Sequence, residues 1–165
     1  MSIRKLGLIV FVVVGTAIII TAVPNMLSRG NNNETAAMGN LRALGYSLEI
    51  YRSAHRYYPD EWLADMYTNQ DPDFGPPSFG SDIQSRLQTV QGYDYRYTSL
   101  PMGCAEPSCT QYALTATPHI PGKTGIRAFF TSESGGIHHC NGERADARDA
   151  LIDRPPHRCR SPKSK

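Results

Sequence analysis

Two stretches, "GGIHHC" and "PHRC", hold the chain's concentration of soft metal ligands: His138, His139, Cys140, His157 and Cys159. Imidazole nitrogen and thiolate sulfur are what zinc takes. Cys140 and Cys159 stand far apart, however, and lack the tight ligand pairs of structural zinc sites. A disulfide with bystander histidines is therefore the expectation, with zinc as the alternative. Hard oxygen ligands of the kind calcium uses occur at Asp71 and Asp73, and at Asp146, Asp149 and Asp153. In "ERADARDALID" the acids alternate with Arg144 and Arg148 and recur at steps of three or four, which reads as a solvated helical face with internal ion pairs. Beyond Asp153 the tail carries Arg154, Arg158, Arg160, Lys163 and Lys165 and no acid. Its plain reading is a disordered, solubilising end. The sharper reading is contact of Arg158, Arg160, Lys163 and Lys165 with nucleic acid or another polyanion, because clustered cations release its counterions. There is no Gly-rich phosphate loop, nucleophile elbow, zinc-protease helix or Cys-x-x-Cys redox pair, so neither an enzyme nor a resident cofactor is expected.

The elements that would position these residues begin with an apolar run. Eighteen uncharged, mostly apolar residues run from Leu6 to Val23, after Arg4 and Lys5 and before Pro24. As a helix they would span about 27 Å, close to the hydrocarbon core of a bilayer. The run is longer than the core of a usual cleavable signal and has no convincing small-x-small site after it. The basic start and the positive-inside rule place residues 1–5 in the cytoplasm, residues 6–23 in the bacterial inner membrane and everything after Pro24 outside. The chain has 165 residues and a net charge of +2, which demands no particular partner. Residues 34–153 suffice for one compact domain, with 24–33 as a linker and 154–165 as the basic tail. All four cysteines fall in the exported part, where disulfides persist. Of the three possible pairings, Cys104 with Cys109 and Cys140 with Cys159 are expected, since each pair brackets one turn-rich segment. On a chain-entropy argument the two loops contribute roughly 2 and roughly 3 kcal/mol.

"SRGNNNE" interrupts the helical signal with Gly30 and three asparagines, and Asn33 is placed to cap a new helix with Glu34 in its first turn. Ala37, Leu41, Leu44, Leu48 and Tyr51 then form one apolar stripe on a helix that ends before Tyr58-Pro59. Residues 59–80 read as loop, with a short helix or turn around 82–87. Three strands follow by period-two alternation: Tyr93 to Leu100, Gln111 to Thr117, and Gly125 to Ser134 with Ile126, Ala128 and Phe130 on one face. Short Pro- and Gly-rich connections make these antiparallel neighbours in a meander of three or four strands. Trp62 and the tyrosines Tyr93, Tyr95 and Tyr97 are read as packing residues rather than a base-stacking platform.

The apolar start running into "AVPNML", the "NE" after a polar gap, "LRALGYSLEIYRSAHRYYPD", and then "YRYTSL", "YALTATP" and "GIRAFFTSESGGI" together resemble the type IV pilin and type II secretion pseudopilin superfamily. The resemblance covers nearly the whole chain. It implies an α+β fold: a long N-terminal helix, membrane-spanning in its first half, packed by its second half on a small antiparallel β-sheet. It implies that Pro24 is the kink-forming proline, and that the Cys140 to Cys159 segment corresponds to the C-terminal disulfide-bounded loop of many pilins. It also implies a prepilin peptidase acting between Gly7 and Leu8, and as partners other pilin or pseudopilin subunits and the inner-membrane assembly platform.

The family's usual glutamate at the fifth mature position is missing: a chain starting at Leu8 has Val12 there. That glutamate pairs with the new α-amine in a filament core, where an unpaired buried charge costs several kcal/mol. A minor or tip-like subunit is therefore expected rather than the repeating body of a filament. The alternative is an uncleaved, membrane-anchored exported binding protein with the same fold and zinc or a polyanion as ligand.

Overall fold

The computed structural model describes residues 30–159. Helix α1 covers residues 30–55. Its stripe of Ala37, Leu41, Leu44, Leu48 and Tyr51 is buried along its whole length, none of the five being more than 1% exposed. The helix stops where Arg56 turns to a positive φ of 77°. Its N–H closes the last turn on the Arg52 carbonyl at 2.8 Å, and the Tyr58-Pro59 pair then cannot continue a helix.

Gly30 to Asn33, expected as a linker with Asn33 as a cap, are already helical. A tertiary contact overrides the local preference. The Asn33 amide donates to the Thr124 carbonyl at 2.9 Å instead of capping its own helix.

Six strands follow in sequence order, β1 Gln88–Val90, β2 Tyr93–Leu100, β3 Gln111–Pro118, β4 Arg127–Ser132, β5 His138–Asn141 and β6 Ala150–Leu151. They form one antiparallel meander, each pairing with its sequence neighbour. The expected three or four strands become six because three short ones, too brief for a readable alternation, extend the edges. The β1–β2 hairpin turns on Gln91 and Gly92, both at positive φ, the geometry of a two-residue type I′ turn. Glycine is required at the second position: a Cβ on Gly92 would lie 2.7 Å from the Asn33 amide nitrogen.

The main core lies between α1 and the sheet. Tyr93, Tyr95 and Tyr97 of β2, Tyr112, Leu114 and Ala116 of β3, and Phe129 of β4 face the helix. The segment between α1 and β1 contributes Trp62, Met66, Phe79 and Ile83 to the same core, and the Trp62 indole N–H donates to the Phe79 carbonyl at 3.2 Å.

β4 departs from its expected one-sided pattern. Phe129 enters the main core, whereas Ala128 and Phe130 pack on the opposite face of the sheet with Cys140, Ala145 and Cys159. Ile126 is 57% exposed. The C-terminal segment covers that far face, so the strand has apolar neighbours on both sides and a single buried face could not be read from alternation.

One expectation needs correction. The predicted fold had a long N-terminal helix whose first half, residues 6–23, spans the membrane, and with it a single-pass inner-membrane placement with a cytoplasmic N-terminus. Among the described residues no helix is long and apolar enough to cross a membrane. The physical reason is visible in α1, which carries Glu34, Arg42, Glu49 and Arg52 and buries one face of its circumference against the sheet. The run from Leu6 to Val23 and the Pro24 kink lie outside the described residues.

The tyrosines make a prediction about alkaline unfolding. Six of the nine, Tyr51, Tyr58, Tyr93, Tyr95, Tyr97 and Tyr112, are at most 2% exposed. Burial pushes all their phenols up, Tyr95 to about 12 and the others further. A raised folded-state value means the stability is whole below the unfolded value of about 10 and falls as pH rises above it, since the unfolded chain loses those protons first. Phenolate absorbance of the buried tyrosines should therefore appear together with loss of far-UV circular dichroism. Reversible ionisation of all nine in a chain with native dichroism would show that the burial is wrong.

Candidate interaction surface

α1 has a second apolar stripe. Opposite the buried one, Gly39, Ala43, Tyr46, Ile50 and Ala54 recur at steps of four, three, four and four, and all face solvent. Tyr46 is 71% exposed and Ile50 41%. Single exposed apolar residues are ordinary, but a continuous stripe on one helix is the arrangement expected of a docking face. This stripe was not among the expected features of the helix. The signal was present, as the same periodicity half a turn away.

α1 is held on the sheet by a polar latch. Glu34, only 5% exposed, takes N–H bonds through Oε1 from Ile126 at 2.8 Å and Arg127 at 3.2 Å. Its Oε2 accepts from Arg127 Nε at 2.7 Å. Arg127 continues to His139, whose Nδ1 lies 3.3 Å from Nη1, and the His139 Nε2 meets the Arg154 carbonyl at 2.9 Å. The latch thus runs from the helix through the sheet to the C-terminal segment. The sequence reading placed Glu34 in a helix first turn, where an acid needs no partner, and nothing local pointed to a strand ninety residues away.

The C-terminal segment is a strap across the far face of the sheet. Cys140 bonds Cys159, and Cys104 bonds Cys109 in the β2–β3 connection. Both sulfurs of the His/Cys cluster are therefore spent in a disulfide. The histidines are engaged as well: His138 Nδ1 lies 2.8 Å from the Asp149 carbonyl and His157 Nε2 lies 2.9 Å from Asp149 Oδ1.

Asp149 corrects the solvated-face reading of "ERADARDALID". That segment is a turn leading into β6, with the Asp149 N–H bonded to the Asp146 carbonyl at 3.1 Å. The Asp149 carboxylate is buried between the Asp146 N–H and His157. Steps of three and four between charges fit both a helix and successive turns, and the strap's disulfide selects turns here.

Of the acids weighed for calcium, Asp146 pairs with Arg148 and Asp149 with His157. Among the described residues, Asp60, Asp65 and Glu106 form a group of carboxylates with one oxygen of each within 4.8 Å of the others. Asp65 already accepts the Asp60 and Glu61 N–H groups at 3.1 and 3.0 Å, holding the turn after Pro59. Burial pushes its carboxyl above the usual range.

Of the residues predicted to contact a polyanion, Arg158 lies in the strap, in a parallel bridge with Asn141. Arg160, Lys163 and Lys165 lie outside the described residues, as do Gly7 and Leu8 of the candidate cleavage junction. No protein-family model, curated protein or solved structure matches this chain.

Proposed function

We propose that this chain is a pilin-like structural subunit, minor or tip-like, of a type IV pilus or type II secretion pseudopilus, acting by packing against other pilin or pseudopilin subunits. The observation that carries the reading is the two-faced helix: one apolar stripe buried on its own sheet, and the opposite stripe of Gly39, Ala43, Tyr46, Ile50 and Ala54 open. A helix serving only its own domain has no use for the second stripe. The antiparallel meander and the strap closed by Cys140–Cys159 support it further.

The test uses charge on the open stripe. Tyr46 and Ile50 both lie on the exposed side of α1, so Tyr46→Glu with Ile50→Glu should leave the melting curve within about 0.5 kcal/mol of the parent. Co-purification with pilin or pseudopilin subunits from the native host should be lost. Undiminished co-purification would remove the proposed packing face. Intact mass and N-terminal peptide sequencing of the same material provide a second readout: a chain starting at Leu8 is expected, and one starting at Met1 would refute prepilin processing.

A further inference from the structure

Strand β1 is one edge of the sheet. The tight turn at Gln91 and Gly92 makes Val90 and Tyr93 a hydrogen-bonded pair, so Thr89, opposite Asp94, points its N–H and C=O away from β2. Neither group has a hydrogen-bond partner among the described residues. An edge of this kind is a template for another strand unless lysine, proline or a bulge blunts it, and Gln88 to Val90 carry none of these.

A groove runs beside this edge. One lobe, of about 700 Å³, is lined by Leu87, Gln88 and Thr89 together with Gly80 and Ser81. A second lobe, of about 480 Å³, is lined by Asp60, Glu61 and Trp62 and shares Leu63, Asp82 and Ser85 with the first. Both volumes fall within the roughly 300–1,000 Å³ of ligand-binding clefts. Leu63 is 38% exposed and Leu87 54%, which gives an incoming chain two apolar footholds. In the groove wall the Gln88 amide donates through Nε2 to the Ser78 carbonyl at 2.7 Å, while its Oε1 is buried with no hydrogen bond. Buried acceptors without a donor are few in folded proteins, and a donor entering beside Gln88 would complete this one.

The groove is negative. Asp60, Glu61 and Asp82 line it against Arg86 alone. Asp65 and Glu106 stand behind Asp60, one oxygen of each of the three within 4.8 Å of the others. Neither these three nor Glu61 takes part in an ion pair among the described residues. From Tyr57 to Pro107 the sequence holds eight acids and two bases, Arg86 and Arg96. Arg96 alternates with the core tyrosines Tyr95 and Tyr97 and so lies on the far face of the sheet, where it does not offset the groove.

We propose that the β1 edge and its groove bind an extended, lysine- or arginine-bearing segment of a partner protein as an added strand. The main chain of the segment exchanges hydrogen bonds with Thr89, its apolar residues pack on Leu63 and Leu87, and its cations meet Asp60 and Glu61. Charge selects the occupant: the same edge of a second copy would set acids against acids, whereas a basic segment offsets them. The site shares no residue with the open stripe of α1, so it stands or falls apart from the pilin-like reading.

The probe is an acetylated and amidated hexapeptide alternating lysine and valine, titrated into the full chain while amide hydrogen exchange is followed by NMR. It should bind and slow exchange of the Thr89 amide. Asp60→Asn with Glu61→Gln should weaken binding about fivefold, the worth of two exposed ion pairs, with native circular dichroism. The same peptide methylated at every backbone nitrogen keeps its charge and should leave Thr89 exchanging freely, and a glutamate-valine peptide should not bind. Equal binding of the glutamate peptide, binding that leaves Thr89 unprotected, or no binding below about 1 mM would each overturn the proposal. Protection of Thr89 in concentrated protein without peptide would do so too, by making a second copy the occupant.

Discussion

Glu34→Ala should destabilise the domain by about 3 kcal/mol, measured as a lower denaturant midpoint at unchanged slope. The carboxylate is 7% exposed and accepts three N–H bonds, two from the entry to β4 and one from Arg127. Its removal leaves the Ile126 and Arg127 amides without their acceptor and takes the counter-charge from a guanidinium that is itself 27% exposed. That partial exposure is why the expected loss lies at the lower end of the roughly 3–5 kcal/mol seen for fully buried pairs.

Glu34→Gln keeps an acceptor for the backbone amides and should lose about half as much. A double substitution with Arg127→Ala should fall short of the sum of the two single ones, because the two side chains share one interaction. A Glu34→Ala protein within about 0.5 kcal/mol of the parent would show that the latch does not hold α1 on the sheet.

Trp62→Ala should be at least as severe, at about 3–5 kcal/mol. Trp62 is 1% exposed, packs against Tyr97 with ring centroids 5.0 Å apart and against Tyr67 at 6.1 Å, and donates its indole N–H to the Phe79 carbonyl. It pins the irregular segment between α1 and β1, which has little regular structure of its own, to the tyrosine layer of the sheet. Truncation therefore both opens a cavity and strands a carbonyl. Trp62→Phe should recover most of the packing and lose the hydrogen bond, about 1 kcal/mol. Since Trp62 is the chain's one tryptophan, the series is followed by circular dichroism or calorimetry rather than fluorescence. A midpoint for Trp62→Ala equal to that of the parent would place this segment outside the cooperative core.

Both predictions concern contacts between segments far apart in the chain, and they mark where the sequence stopped being informative. Periodicity located α1's buried stripe, the exact span of Tyr93 to Leu100 as β2, and Gln111 as the start of β3, because each element there has one apolar face and is long enough to repeat it. The local pairing of the cysteines follows from proximity along the chain, and the structure holds the same two bonds. β1, β5 and β6 were invisible because two to four residues cannot display an alternation. β4 was read as buried on one face only; Ala128 and Phe130 of that face do pack under the strap, but Ile126 is exposed and Phe129 on the other face enters the main core.

The polar residues divide in the same way. Local sequence assigns a charged side chain to solvent or to a helix turn by default, and that default failed at Glu34 and Asp149. Each is buried by a partner that only tertiary folding brings near: the start of β4 for Glu34, and His157 at the end of the strap for Asp149. By itself the sequence determined which residues must leave water, because hydrophobic period is a property of neighbours in the chain. Tertiary structure decided what each buried polar group meets, because a hydrogen bond is short and directional and its partner can lie anywhere in the chain.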